Sequence, residues 1–208
     1  MLLKRVIPVL MLTVALSAVK SQAQEKKNYI SGTIGFNNSK QEANGDEIKS
    51  NDFTIAPTYG HYISNKFSIA LSVGYSHGTG DQKLSGATTK SDGFHVSPFV
   101  RFEQPIWSDK LSVFNDVGLM YLHNKTTVDT KGSDQQESSL NMSMLFYRPG
   151  LLVNLTKRSA ITLSLGELLT VAHSVNKSPT GSTTTQTSAG IQSGFGINSL
   201  SFGFQYKF

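Results

Sequence analysis

The chain has 208 residues, of which 38% are apolar and 16% charged, with a formal net charge of +5 and no cysteine. Disulfide scaffolds, thiolate metal sites and cysteine nucleophiles are therefore excluded, and the apolar fraction is too high for a disordered tail. Beyond residue 23 no apolar run approaches the roughly 18 residues that a spanning helix needs, so helical channels are excluded as well.

Residues 1–23 read as a secretory signal peptide. Lys4 and Arg5 precede an apolar run from Val6 to Leu16, and Ser21 and Ala23 supply the small residues before a cleavage expected after Ala23. Removing Lys4, Arg5 and Lys20 lowers the charge from +5 to about +2, so the basic balance belongs partly to the leader. Residues 24–208 then form one domain.

That domain alternates with period two. In the first segment Ile30, Ile34 and Phe36 oppose Ser31, Thr33 and Gly35. The second sets Phe53, Ile55, Pro57, Tyr59 and Ile63 against Thr54, Ala56, Thr58, Gly60 and Tyr62, with His61 intruding on the apolar side. The third has no exception: Phe67, Ile69, Leu71, Val73 and Tyr75 against Ser68, Ala70, Ser72, Gly74 and Ser76. In the fourth, Phe94, Val96, Pro98, Val100 and Phe102 oppose His95, Ser97, Phe99, Arg101 and Glu103; in the fifth, Leu111, Val113, Val117, Leu119 and Tyr121 oppose Ser112, Phe114, Asp116, Gly118 and Met120. The sixth switches parity between Met142, Met144, Phe146 and Leu151, Val153, Leu155, which predicts a bulge near Pro149-Gly150. Ile161, Leu163 and Leu165 mark the seventh, and the eighth switches near Asn198-Ser199 before Phe202, Phe204, Tyr206 and Phe208. Pro57 and Pro98 are expected at bulges or where a missing donor is tolerated.

Short joins at residues 64–66, 104–110 and 156–158 alternate with long polar ones at 37–51, 77–93, 124–137 and 173–187. If consecutive strands are antiparallel, the short turns share one end with both termini and the long loops share the other. A soluble sandwich would carry charged side chains on its second faces. Here those faces are mostly Ser, Thr, Ala and Gly, which suits a narrow enclosed lumen, with the apolar faces turned to lipid. Lipid exposure requires every backbone group to pair internally, so the first strand must meet the last. The expected fold is a closed, all-β, eight-stranded antiparallel transmembrane barrel, an up-and-down meander with short periplasmic turns and four longer extracellular loops. Arg101, Glu103 and Asp116 fall on adjoining inward faces and are expected to form a luminal ion-pair network, joined by Glu167 or Arg148 where register permits. Aromatic girdles are expected from Trp107, Tyr29, Phe67 and Tyr206 at one end and Tyr75, Phe94 and Tyr121 at the other.

The terminal Phe202-Gly203-Phe204-Gln205-Tyr206-Lys207-Phe208 resembles the C-terminal β-signal read by the barrel assembly machinery, with Phe204, Tyr206 and Phe208 at its alternating positions. Nearly the whole of residues 24–208 is similar to the small outer-membrane barrels of the OmpA and OmpX type, particularly the barrel-domain family common in Bacteroidetes. The resemblance implies residence in the outer membrane of a Gram-negative bacterium, loops outside and turns in the periplasm. Its implied partners are outer-membrane lipids and lipopolysaccharide, the assembly machinery during insertion, and an extracellular partner at the loops.

The role expected from this reading is structural or surface-interacting, around a lumen filled by side chains. A narrow pore or small-solute channel is the alternative, opposed by inward Phe99, Phe114 and Met120. A hydrolase or lipid-modifying enzyme is a third class: His77, His123 and His173 lie near the outward strand ends, but no spacing fixes a nucleophile, base and acid together, so no catalytic residue is assigned. His95 faces the lumen and is expected to bond to Ser or Tyr. No HExxH occurs, and Asp81, Asp92, Asp129 and Asp134 lie in polar loops, so neither a metal nor another cofactor is expected. Isolated basic pairs such as Lys157-Arg158 give no nucleic-acid surface.

Overall fold

The computed structural model describes residues 27–43, 46–82, 86–108, 110–130, 134–191 and 201–208. The expected leader, its cleavage after Ala23 and the bend at Asn198-Ser199 lie outside those residues.

The elements are all strands: β1 (Asn28–Ala43), β2 (Asp46–Ser64), β3 (Phe67–Gln82), β4 (Ala87–Trp107), β5 (Leu111–Thr130), β6 (Gln136–Asn154), β7 (Ser159–Ser164), β8 (Leu169–Lys177), β9 (Thr183–Ile191) and β10 (Ser201–Lys207). Neighbours from β1 to β6 pair antiparallel in sequence order. Both β7 and β8 pair with β6, at residues 150–154 and 139–147, so they are two lengths of one stave. β9 and β10 pair with β8 and β7 and form the eighth stave. β10 also pairs with β1, which joins the last stave to the first. The result is a closed eight-stranded antiparallel barrel, with the closing pairs running from Tyr29 opposite Lys207 to Thr33 opposite Gly203.

Burial alternates with side-chain parity. On β4, Ser97, Phe99, Arg101 and Glu103 are buried while Phe94, Val96 and Phe102 are exposed. On β5, Ser112, Phe114 and Asp116 are buried while Val117, Leu119 and Tyr121 are exposed. The exposed set is the lipid-facing wall, and the buried set fills the lumen.

Three expectations are corrected. β6 keeps one register against β5 from Val128 opposite Gln136 to Leu111 opposite Val153, so no bulge interrupts Pro149-Gly150 on that edge. The apolar residues change face instead: Phe146 and Leu152 point inward, whereas Leu151 and Val153 point outward. The irregularity lies across from them, where residues 165–168 separate β7 from β8. Tyr29 is no girdle residue, because it is 0% exposed and its ring lies in the lumen. The long polar connections are largely strand. β1 and β2 stay paired to Ala43 opposite Asp46, β3 and β4 to Gln82 opposite Ala87, and β8 and β9 to Lys177 opposite Thr183. Above the bilayer both faces of a strand meet water, so polar residues take both parities and the period-two signal disappears.

The prolines sit at gaps in the ladders. Pro57 pairs with Gly32 but falls in the break between Ile55 and Thr58 on the β3 side, and Pro98 pairs with Leu71 but falls in the break between Val96 and Phe99 on the β5 side. Each missing N–H costs no ladder bond there.

Trp107, the single tryptophan, ends β4 beside a short turn and is 77% exposed. In vesicles its fluorescence should be quenched strongly by a headgroup-level quencher and weakly by one attached near the acyl-chain terminus. Stronger quenching from the bilayer centre would overturn the assignment of this end to the interface.

Candidate functional site: the luminal ion-pair network

The lumen is filled in layers, and register sets which side chains meet. Arg101 stands opposite Asp116, and Asp116 opposite Arg148, so three adjacent staves bring two guanidiniums to one carboxylate. Arg101 Nε donates to Asp116 Oδ1 at 2.7 Å and Nη2 to Oδ2 at 2.9 Å, a bidentate pair. Arg148 Nη2 donates to Asp116 Oδ2 at 3.3 Å, and its Nη1 lies 3.7 Å from Glu167 Oε1. Asp116 is 0% exposed.

The closing strand completes the set. Gln205 on β10 accepts from Arg101 Nη1 at 3.1 Å and donates to the Tyr62 hydroxyl at 3.0 Å; that hydroxyl donates to Glu103 Oε1 at 2.6 Å. Lys207 Nζ lies 3.8 Å from Glu103 Oε2. Arg101 and Asp116 are thus joined, while Glu103 is linked to Arg101 through Tyr62 and Gln205. Sequence reasoning missed Gln205, Tyr62 and Lys207. Their inward parity was readable, but the contact of β10 with β4 across the lumen requires closure to be known.

Aromatic rings pack among the charges. The Arg101 guanidinium lies 4.0 Å from the Phe114 ring centroid, and Arg148 lies 5.2 Å from that of Phe146. Four luminal rings rest where the register partner is glycine: Tyr29 on Gly60, His95 on Gly74, Phe99 beside Gly118 and Phe114 on Gly150. An aromatic covering a bare strand position recovers packing that glycine alone would forgo. His95 accordingly rests against backbone rather than a Ser or Tyr hydroxyl. Phe114, Leu152 and Ala160 form a small apolar cluster toward the turn end.

The outward histidines form a different pattern. His61, His77 and His123 each stand opposite an Asn or Asp, and each lies two residues after a tyrosine. The Tyr hydroxyl and the His Nδ1 converge on one oxygen: Asn28 Oδ1 at 2.9 and 2.9 Å, Asp92 Oδ1 at 2.5 and 2.9 Å, Asn141 Oδ1 at 3.0 and 2.7 Å. His173 Nδ1 lies 3.0 Å from Thr187 Oγ1. Among the described residues no serine completes a catalytic triad at these histidines, and none of Asp81, Asp92, Asp129 or Asp134 joins a cluster of three metal-ligating groups.

At the C-terminus, Phe204 and Tyr206 face outward on β10, and Phe208 N donates to Asn28 O at 2.9 Å.

The family described as "Outer membrane protein beta-barrel domain" matches residues 8–208. The translocator domain of autotransporter NalP from Neisseria meningitidis is similar at 14% identity and a TM-score of 0.46, covering 99% of this chain and 98% of that one. The outer membrane protein OprG from Pseudomonas aeruginosa gives 12% identity and a TM-score of 0.49, covering 89% and 98%. Neisserial surface protein A gives 13% identity and a TM-score of 0.41, covering 90% and 100%. No curated protein matches the chain.

Proposed function

Because the chain belongs to the family of outer membrane protein β-barrel domains, a barrel of the Gram-negative outer membrane, we propose that it is a narrow, gated conduit for small solutes. The observation that carries this reading is that the lumen is closed by partner-sharing ion pairs. A packed apolar filling of similar volume would close it at equal or greater stability, so buried charges are a poor choice for a purely structural plug. Arg148 reaches both Asp116, at 3.3 Å, and Glu167, at 3.7 Å. Transfer of its guanidinium from one carboxylate to the other would open space beside Asp116 without leaving a charge unpaired. Ser68, Ser72, Ser97, Thr162 and Ser164 give the lumen a lining that small hydrated solutes could follow.

A second reading is a structural or surface-interacting barrel, favoured by the paired hairpins that carry β1 to β6 well beyond the apolar wall. Their continuous ladders would present polar strand surfaces to an extracellular partner. The narrower kinship with OmpA and OmpX-type barrels of Bacteroidetes belongs to the proposal too, as does an assembly role for Phe204, Tyr206 and Phe208; the terminal alternation supports both.

Planar bilayers separate the two functions. The conduit reading expects small, solute-dependent conductance steps, with open time altered by Glu167→Gln, which removes one of the two partners of Arg148. Electrical silence from protein that shows the mobility shift of a folded barrel on unheated gels sinks the conduit and leaves the surface role.

A further inference from the structure

The outer half of the lumen holds a group of side chains that the ion pairs do not use. The chain has five methionines, of which Met1 and Met11 belong to the expected leader. The other three, Met120, Met142 and Met144, have inward parity on β5 and β6, where Leu119, Tyr121 and Leu145 are the exposed neighbours. All three are half-buried, so they border open lumen rather than a closed core.

Register brings their sulfurs within reach of one another. Met120 stands opposite Met144, and Met142 stands opposite Leu122 one level further out. Opposed Cβ atoms on antiparallel strands lie about 4.5–5.5 Å apart, and a diagonal such as Met120 to Met142 spans roughly 7–8 Å, which long side chains bridge. A methionine side chain is unbranched and turns about three bonds, so the three thioethers can converge on one atom while the strands stay in place.

A second observation falls at the same level. Val96 opposite Tyr121 and Phe99 opposite Gly118 keep one register across the ladder gap at Pro98, which puts Ser97 across from Met120. Ser97 is 1% exposed, and its Oγ has no hydrogen-bond partner. A buried hydroxyl left without a partner is a place that a bound species completes.

Donor chemistry selects that species. Among the described residues histidines and carboxylates form no cluster of three metal-ligating groups, but thioethers are a different class, soft and uncharged, and soft sulfur ligands select Cu(I). The levels of Met120 and Met142 also carry Ala172, Ser174, Leu122 and His95, with no carboxylate to offset the desolvation of a divalent ion. The His95 ring lies over Gly74, toward β3 and away from the methionines. With no cysteine in the chain, no thiolate is present to hold Zn(II).

We propose that Met120, Met142 and Met144 form a site for one soft monovalent cation, Cu(I) or its analogue Ag(I), with Ser97 Oγ as an added oxygen donor. Met144 is four residues along β6 from Arg148, roughly 13 Å, so the site is separate from the contact of Arg148 with Asp116.

Silver nitrate is the probe, titrated in chloride-free buffer into the full chain folded in detergent. One tight Ag(I) per barrel is expected by calorimetry, and the Met120, Met142 and Met144 signals should shift together in spectra of protein labelled at the methionine methyl carbons. Met120→Leu and Met144→Leu conserve volume and should each weaken binding about tenfold or more, and the triple Leu variant should abolish it. Ser97→Ala should weaken binding several-fold; an unchanged affinity there removes the oxygen from the donor set. Cu(I) kept reduced with ascorbate should displace Ag(I), and Zn(II) should not. Gel mobility before heating verifies that each variant is folded. Unchanged Ag(I) affinity in the folded triple variant, a shift confined to one methionine, or displacement by Zn(II) would each overturn the proposal. None of these results bears on conductance, so this proposal and the conduit fail separately.

Discussion

Asp116→Ala is expected to cost about 3–5 kcal/mol of unfolding free energy, the range for breaking a buried ion pair from one side. Asp116 accepts both oxygens' worth of hydrogen bonds from Arg101, at 2.7 and 2.9 Å, and a third from Arg148 at 3.3 Å. Without it Arg101, only 5% exposed, keeps the Gln205 amide oxygen and the faces of Phe114, Phe99 and Tyr29, but no carboxylate in direct contact. Arg148 suffers less, since Glu167 is near enough to take it over. The dominant loss is therefore the stranded Arg101 charge. Urea unfolding in vesicles, followed by the mobility difference between folded and unfolded chains on unheated gels, measures the change. The double variant Arg101→Met, Asp116→Leu removes both charges and should lie closer to the wild type than Asp116→Ala. A neutral single variant would mean that water solvates the lumen well enough to hold a lone guanidinium.

That prediction needs only the pairing of β4 with β5, which alternation made readable: Arg101 and Asp116 have inward parity in adjacent staves separated by a short join. Glu103 belongs to the same face, but its partners come from β2 and β10, and local spacing contains no trace of them. They become neighbours because the barrel closes and the narrow lumen brings opposite walls together. Tyr29 was misread for a related reason. At the start of the first stave its parity agreed with the inward set, while its chemistry agreed with an interfacial girdle, and only the bare Gly60 across the ladder decides for the lumen. The sixth segment shows the converse failure. A switch in apolar parity looks like a slip in register, yet the register against β5 is unbroken, and the inward Phe146 ring packs beside Arg148. The extended hairpins were invisible to periodicity, because water on both faces imposes no alternation.

The glycine seats give the second large effect and separate two kinds of crowding. A methyl group on Gly74 would meet the His95 ring, with its nearest atom at 2.0 Å, but every close atom belongs to that side chain. Rotation of His95 toward the more open outer lumen relieves the clash. A methyl group on Gly118 would instead lie 2.5 Å from Pro98 O and 2.9 Å from Phe99 Cα, as well as 2.5 Å from Phe99 Cβ. Those are backbone atoms of the paired strand and the first atom of its side chain, so no rotamer change removes them. The strands must separate locally, beside the gap that Pro98 already leaves in the β4 to β5 ladder. Gly118→Ala should therefore cost about 1–3 kcal/mol, as overpacking does in a filled interior, and Gly118→Val more. Gly74→Ala should cost less than Gly118→Ala, although its ideal contact is the shorter. Equal losses in the same urea assay would show that β4 and β5 part beside Gly118 as easily as the His95 ring turns away from Gly74.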